Sequence, residues 1–468
     1  MKLSQLDLSL PFWKRKVLFS ISALIFVVPS AYSLDLIQSY RLALTQDASY
    51  QASRAETAAA RENVPQARSQ LMPNVSGNLT RTQNSTDSDV PGAFGTRSQS
   101  HQDYFSSSYV LAIRQPLYRK YNFAQYKQAK AQVESAEASL EKSLQDLLVR
   151  LSGIYFEALM AQDQMALIQA QKDAYSLQLK AVKRAFETGL GTRTDIDDAQ
   201  ARYDMILAQE LEAKQNLDYS KRQLSVIVNQ TVDDLAPLSP ARMELVAPLP
   251  ASPEEWIARG EDVNPELRAM RANVETAKQD LEKAKSGHHP TVDLIAQRSR
   301  SQSANDTTIN QLYLTTMVGV QVNVPIFAGG YADSQERQAL ANIERHQQLY
   351  ESRRREVNQQ IRKEFQNVAE GVLKVKALEQ AERSSDQAVI SNQKGFQAGT
   401  RTLVDILNAQ QQRVNVRRDL AQQRYMYLLA RIRLQGLVNS LDENEITLIN
   451  SWLLDSPASV ATDQHAAK

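Results

Sequence analysis

The chain has 468 residues, 54 Lys plus Arg against 53 Asp plus Glu, and a formal net charge of +1, so it lacks the excess positive field a general nucleic-acid binder needs. It contains no Cys, which excludes disulfides, thiolate metal sites, thiol nucleophiles and a lipidated N-terminal Cys. Only 15 Gly and 15 Pro interrupt it, which predicts a mostly helical protein, and a mean hydropathy of −0.44 excludes a polytopic helical membrane protein.

From the N-terminus, Lys14, Arg15 and Lys16 precede an apolar run from Val17 to Val28, then Pro29 and Ala31-Tyr32-Ser33. A basic cluster, a short apolar stretch and small residues before the cut read as a secretory signal over residues 1–33. The apolar run would make a helix of only about 18 Å, short of a ~30 Å hydrocarbon core. The chain is therefore expected to leave the cytoplasm without a spanning helix.

The remainder says everything twice. Phe186, Gly189, Thr192, Asp195, Ile196, Ala199 and Gln200 recur as Phe396, Gly399, Thr402, Asp405, Ile406, Ala409 and Gln410, at a constant offset of 210 residues. Pro116 and Pro73 have counterparts in Pro325 and Pro290, in the same order. Internal duplication decides an architecture before any local reading does. The first repeat is placed at 34–230 and the second at 263–439, with a connector at 231–262, a further segment at 440–455 and a polar, disordered tail at 456–468.

Each repeat opens with a helical run, about 40–71 and 263–287, and then turns to strands at a Pro. Strands are expected at about 73–88 and 103–117, and at about 290–303 and 311–326. In them Phe105, Tyr109, Leu111 and Ile113, or Val318, Val320, Val322 and Val324, alternate with polar or small residues. Long helices follow at about 119–187 and 329–397. The first has a seam of Val133, Ala136, Leu140, Leu144, Leu147, Leu151, Ile154 and Ala158 in steps of three or four, and spans about 100 Å. After the turns at Gly189 and Gly399, shorter helices run over about 194–230 and 402–439. The segments 231–262 and 440–455 interrupt the helices at matching places and are expected to wrap a waist.

Four strands on the ends of such helices have open edges and no covering layer. Closed spanning barrels start at about eight strands, so several copies must pool theirs, with the apolar face toward lipid. Tyr104, Tyr109, Tyr118, Tyr313 and Phe327 lie near strand ends, where an aromatic girdle is expected. A soluble β-sandwich would show the same alternation, but the chain offers no second sheet. A periplasmic adaptor would carry many short strands, and a secreted coiled-coil scaffold would leave the alternation unexplained. No P-loop, metal-ligand spacing, cofactor motif or catalytic constellation is present, so an enzyme is not expected.

With the Ser286-Gly287-His288-His289-Pro290 switch and the run Gly399-Thr400-Arg401-Thr402-Leu403-Val404-Asp405, the order of elements resembles the TolC family of outer-membrane channel-tunnels over residues 34–455. The resemblance implies a homotrimer with a twelve-strand barrel in the outer membrane of a Gram-negative bacterium and a twelve-helix periplasmic tunnel. It further implies a periplasmic adaptor (membrane fusion protein), an inner-membrane ABC or proton-driven transporter, and a cargo of drugs or of proteins in type I secretion. It places Asp405 in an acidic ring at the entrance, with Asp198 at the position that Asn408 occupies in the second repeat. Thr194, Asp195, Arg401 and Phe396 would form a latch, Phe396 standing where the family has a Tyr and so lacking that hydroxyl. Gly189 and Gly399 would mark the tip turns where the adaptor docks. Independently of the resemblance, Asp195 and Asp405 sit where a helix N-terminus favours a capping carboxylate.

Overall fold

A computed structural model of the chain describes residues 33–91, 95–189 and 191–454. The expected secretory signal, up to Tyr32, and the expected tail at 456–468 lie outside the described residues.

Three short helices come first: α1 (Leu36–Gln46), α2 (Ala48–Arg61) and α3 (Asn63–Ser69). The expected single run is broken at Asp47, whose backbone is extended and whose carboxylate caps α2 by accepting from the Tyr50 N–H. Strands β1 (Asn74–Pro91) and β2 (Arg97–Tyr118) lead into α4 (Lys120–Glu187), and α5 (Arg193–Val228) returns. The second repeat runs α6 (Pro253–Val263), α7 (Pro265–Lys285), β3 (Thr291–Gln302), β4 (Leu312–Asn323), α8 (Tyr331–Gln397) and α9 (Leu403–Leu437), and α10 (Glu443–Asn450) follows. At 68 and 67 residues, α4 and α8 are each about 100 Å long. Among the described residues, no helix is long and apolar enough to cross a membrane.

The four strands form one antiparallel sheet in the order β1-β2-β3-β4. The two hairpins are joined because β2 pairs with β3, from Ser107↔Gln302 down to a bulge between Pro116 and Tyr118. Strands β1 and β4 remain as free edges, so the sheet of one copy is open. Register puts Val75, Leu79, Tyr109, Leu111, Ile113, Leu294, Val318 and Val320 on one face, because directly paired residues share a face. On the central strand β2 this face is the more exposed one, as on the convex side of a curled sheet.

Two expectations are corrected here. Tyr104 pairs with Asn84 and Tyr313 with Ser301, so both lie on the polar face and leave the apolar girdle; Tyr109 and Tyr118 stay on the apolar side. The period of two decides this, since Tyr104 and Tyr109 differ by an odd number of steps. The first hairpin is also longer than expected. From Thr82↔Ser106 to Pro91↔Arg97 it is a two-stranded ribbon beyond the last β2–β3 pair, and at about 3.4 Å per residue it projects roughly 30 Å. Its Ser, Thr, Gln and Asn side chains carry no alternation that a sequence reading detects.

Where sheet meets helices, Asp293 is 2% exposed and takes two guanidinium groups. Arg114 approaches it at 2.5 and 3.0 Å and Arg119 at 2.6 and 2.8 Å. This network ties β2 and the start of α4 to β3, one repeat to the other.

The main core sits at the waist. Leu36, Leu147, Leu151, Tyr155, Phe156, Leu224, Trp256, Leu267, Ile361, Tyr427, Leu428, Ile432 and Trp452 pack as one buried cluster. Distant segments close it: Leu34 bridges to Leu235, Leu238 bridges to Leu453, and the Tyr155 hydroxyl donates to the Leu34 carbonyl at 3.0 Å. Asn264 accepts from the N–H groups of Glu266 and Leu267 at the start of α7 and donates to the Leu437 carbonyl at the end of α9. Gly371 lets α8 lie against Tyr427; a Cβ there would stand 3.3 Å from that ring.

Candidate functional site at the helical tips

The two long hairpins, α4–α5 and α8–α9, end in turns of the same construction. Gly189 and Gly399 adopt φ of 77° and 75°, in the region that favours Gly, and each donates its N–H back to Phe186 or Phe396 at 3.0 Å. Three residues on, Thr192 and Thr402 are N-caps of complete capping boxes. The Thr192 hydroxyl accepts from the Asp195 N–H at 3.1 Å, while the Asp195 carboxylate accepts from the Thr192 N–H at 3.1 Å and its hydroxyl at 2.6 Å. Thr402 and Asp405 repeat this at 3.2, 2.9 and 2.9 Å. The duplicated Thr-x-x-Asp motif is thus first a local device that satisfies orphan N–H groups. The N–H and hydroxyl of Thr402, helped by Arg401, hold the Asp405 carboxyl below the usual Asp range, so it stays ionised into mild acid.

Asp198 and Thr194 are exposed on the first turns of α5, and Phe396 is exposed on the last turn of α8. Arg401 is exposed and folds its stem over Gly395, where a Cβ would stand 2.6 Å from the Arg401 Cγ. Within one copy Arg401 is not brought to Asp195. The link from the first hairpin to the second runs instead from Arg202 to the side-chain oxygen of Asn408 at 3.1 Å.

Several further contacts hold the hairpins together, and sequence reading missed them. Leu403 and Leu407 of α9 pack with Ile168, Tyr175 and Val182 of α4 and Ile206 of α5. Gln411 accepts from Gln171 at 2.9 Å and from the Tyr175 hydroxyl at 3.2 Å. Nearer the waist the Tyr425 hydroxyl of α9 donates to the Asp163 carboxylate of α4 at 2.7 Å. Burial raises the Asp163 carboxyl above the usual Asp range, against the lowering pull of Tyr425 and Arg424. The sequence traces of this seam are the spacing Gln171–Tyr175, one helical turn, and the seven-residue steps Ile168–Tyr175–Val182. A groove of about 700 Å³ between α4, α5 and α9 is lined by Asp163, Gln171, Gln411, Asn415 and Arg418. Arg417 reaches Glu382 and Asp386, and Arg424 reaches Glu379, lacing α9 to α8. Among the described residues no cluster of His, Asp or Glu is arranged to hold a metal ion.

A duplicated chain with two 100 Å hairpins and an open, half-apolar sheet has known counterparts. The sequence profile described as "Outer membrane efflux protein" matches residues 39–230 and 256–440. The alkaline protease secretion protein AprF of Pseudomonas aeruginosa is 33% identical over 428 residues, 91% of this chain and 89% of that protein. The proteases secretion protein PrtF of Dickeya chrysanthemi is 30% identical over 441 residues, 94% of this chain and 95% of its own length. Among solved structures, the Campylobacter jejuni CmeC outer membrane channel superposes with a TM-score of 0.75 at 14% identity, covering 95% of this chain and 97% of that one. Neither a periplasmic adaptor nor a free coiled-coil scaffold fits these matches. The chain belongs to the outer membrane efflux protein family, and is an outer-membrane channel protein with a helical periplasmic tunnel and a β-barrel portion.

Proposed function

We propose that three copies pair β4 of one with β1 of the next into a closed twelve-strand barrel, and that the trimer is the passive outer duct of a type I secretion pump. The free edges β1 and β4 flanking a single apolar face carry this reading. The family resemblance supports the number three. AprF and PrtF, named as protease secretion proteins, favour an exported protein as cargo over a drug. An inner-membrane ABC transporter would then supply the energy, and a periplasmic adaptor would seat at the tip turns around Gly189 and Gly399.

The tips form the gate in this reading. Copies of Asp405, held ionised by Thr402, lie close enough around the axis to attract cations, with Asp198 and Asn408 adding polarity one turn further along their helices. Arg401 then meets Thr194 or Asp195 of a neighbouring hairpin, beside Phe396. Such exposed pairs are individually weak, about 0–1 kcal/mol, which suits a gate that a docking partner must open. Heat-dependent migration on SDS gels with outer-membrane fractionation tests the assembly: a trimer band that collapses on boiling is expected, and a water-soluble monomer as the native form refutes the reading.

A further inference from the structure

Where the sheet has four strands, its apolar face carries three arginines in the outer half; Arg97 on the same face lies far out at the ribbon's end, beside Asp89. The helices attach where β1 and β3 begin and where β2 and β4 end, so the hairpin turns mark the extracellular side. On the lipid-facing side, the rows nearest the helices are Val292 with Val322, Leu294 with Val320, and Val75, Ile113, Ala296 and Val318, without a charge. Toward the turns, Arg298 shares a row with Leu111 and Thr316, Arg300 with Leu79, Tyr109 and Leu314, and Arg81 with Ser107, Gln302 and Leu312. All three arginines are exposed. Arg298 and Arg300 are two residues apart on β3, about 7 Å, and Arg81 lies two strands away, about 10 Å.

None of the three has a carboxylate within ion-pairing distance among the described residues; the one close aromatic partner is Phe105, whose ring lies 5.2 Å from the Arg81 guanidinium. Across the joined edge a neighbouring copy would set β4 (LYLTTMVGVQVN) beside β1, and that strand contains no acid to pair with Arg81. On this face carboxylates begin only at Asp103, two rows beyond Arg81, and Asp87 lies further out. An unpaired cation on a lipid-facing strand is costly in hydrocarbon and tolerable where it can reach an anionic headgroup. Guanidinium groups bind phosphate through paired N–H donors, and aromatic side chains beside them suit the same interfacial depth.

We propose that Arg81, Arg298 and Arg300 form a site on the outside of the barrel for the phosphorylated sugar headgroup of an outer-leaflet glycolipid of the lipid A class. The site rests on the barrel reading and goes beyond the duct function. Three copies would carry three such sites, each anchoring the barrel at a fixed depth.

The test is native mass spectrometry of the full-length protein from detergent, with added hexa-acylated lipid A, its dephosphorylated counterpart, or phosphatidylglycerol. Wild type is expected to retain lipid A at least tenfold better than either other lipid, and the Arg81→Gln/Arg298→Gln/Arg300→Gln variant to lose that preference. Equal retention of phosphorylated and dephosphorylated lipid, or of phosphatidylglycerol, by wild type overturns the proposal without needing a variant. Full preference in the triple variant also overturns it. Single-channel steps from the same preparations separate the two levels: pores without lipid preference refute the site alone, and no pores refute the barrel.

Discussion

Tyr425→Phe removes a single hydroxyl from the seam between α4 and α9 and leaves its ring in place. The ring packs 6.0 Å from Phe156, so no cavity is expected; what is lost is the 2.7 Å hydrogen bond to Asp163. A hydrogen bond to a charged group contributes about 1.5–3 kcal/mol, and an acceptor left buried without its donor incurs its desolvation cost. A destabilisation of about 2 kcal/mol per copy follows at pH 7. Sign and pH dependence come from Asp163, whose carboxyl burial already raises in the folded state. The native state therefore holds its proton more tightly than the unfolded chain, and wild-type stability falls as pH rises through the interval from the ordinary Asp value to the raised one. Tyr425→Phe removes an influence that lowers the raised value, so its interval widens upward and its penalty shrinks as Asp163 protonates. Asp163→Asn keeps an acceptor for Tyr425, removes the charge, and is expected to match or exceed wild type at pH 7 and to lose the pH slope. Urea denaturation of the purified protein at pH 7 and at the ordinary Asp value of pH 3.8, where a raised Asp163 is mostly protonated in the folded state, measures each quantity, with the double variant closing a cycle. A Tyr425→Phe penalty that is the same at both pH values, or an Asp163→Asn variant as damaged as Tyr425→Phe, would refute the reasoning.

Asp405→Ala and Asp195→Ala each remove one capping box and are expected to cost about 1 kcal/mol of local helix stability. In planar bilayers only Asp405→Ala should also weaken cation selectivity and block by multivalent cations; equal effects would reduce Asp405 to a cap. Arg401→Ser should raise single-channel conductance by loosening the closed tips, and an unchanged conductance removes Arg401 from the latch. Asp293→Asn leaves Arg114 and Arg119 without their shared carboxylate. The loss should fall below the 3–5 kcal/mol of a fully buried pair, because both guanidinium groups reach water, and should appear as a lower urea midpoint of the assembled protein. A midpoint equal to wild type would show that the two repeats do not depend on this tie.

The tips were legible in the chain itself because their chemistry is local. A Gly at positive φ, then Thr and Asp three residues apart, specify a turn and a capping box through backbone groups within a few residues of one another. Duplication supplied the second copy, and the alternation of Val318, Val320 and Val322 supplied the sheet face. The extra length of the β1–β2 ribbon was not legible, since Ser, Thr and Gln pair as strands only when a partner strand presents its edge. The Asp163–Tyr425 and Asp293–Arg114 contacts span 262 and 179 residues, and no local spacing announces them. Register alone put Tyr104 and Tyr313 on the polar face and gathered Arg81, Arg298 and Arg300 on the apolar one. The residues by themselves determined the long helices, the tip turns and the strands with an alternating apolar face, because those states are decided within a few peptide units; the polar β1–β2 ribbon was not among them. Which side chains meet across the fold was left to tertiary structure, where the pairing of distant strands and the crossing of long helices set every long-range contact.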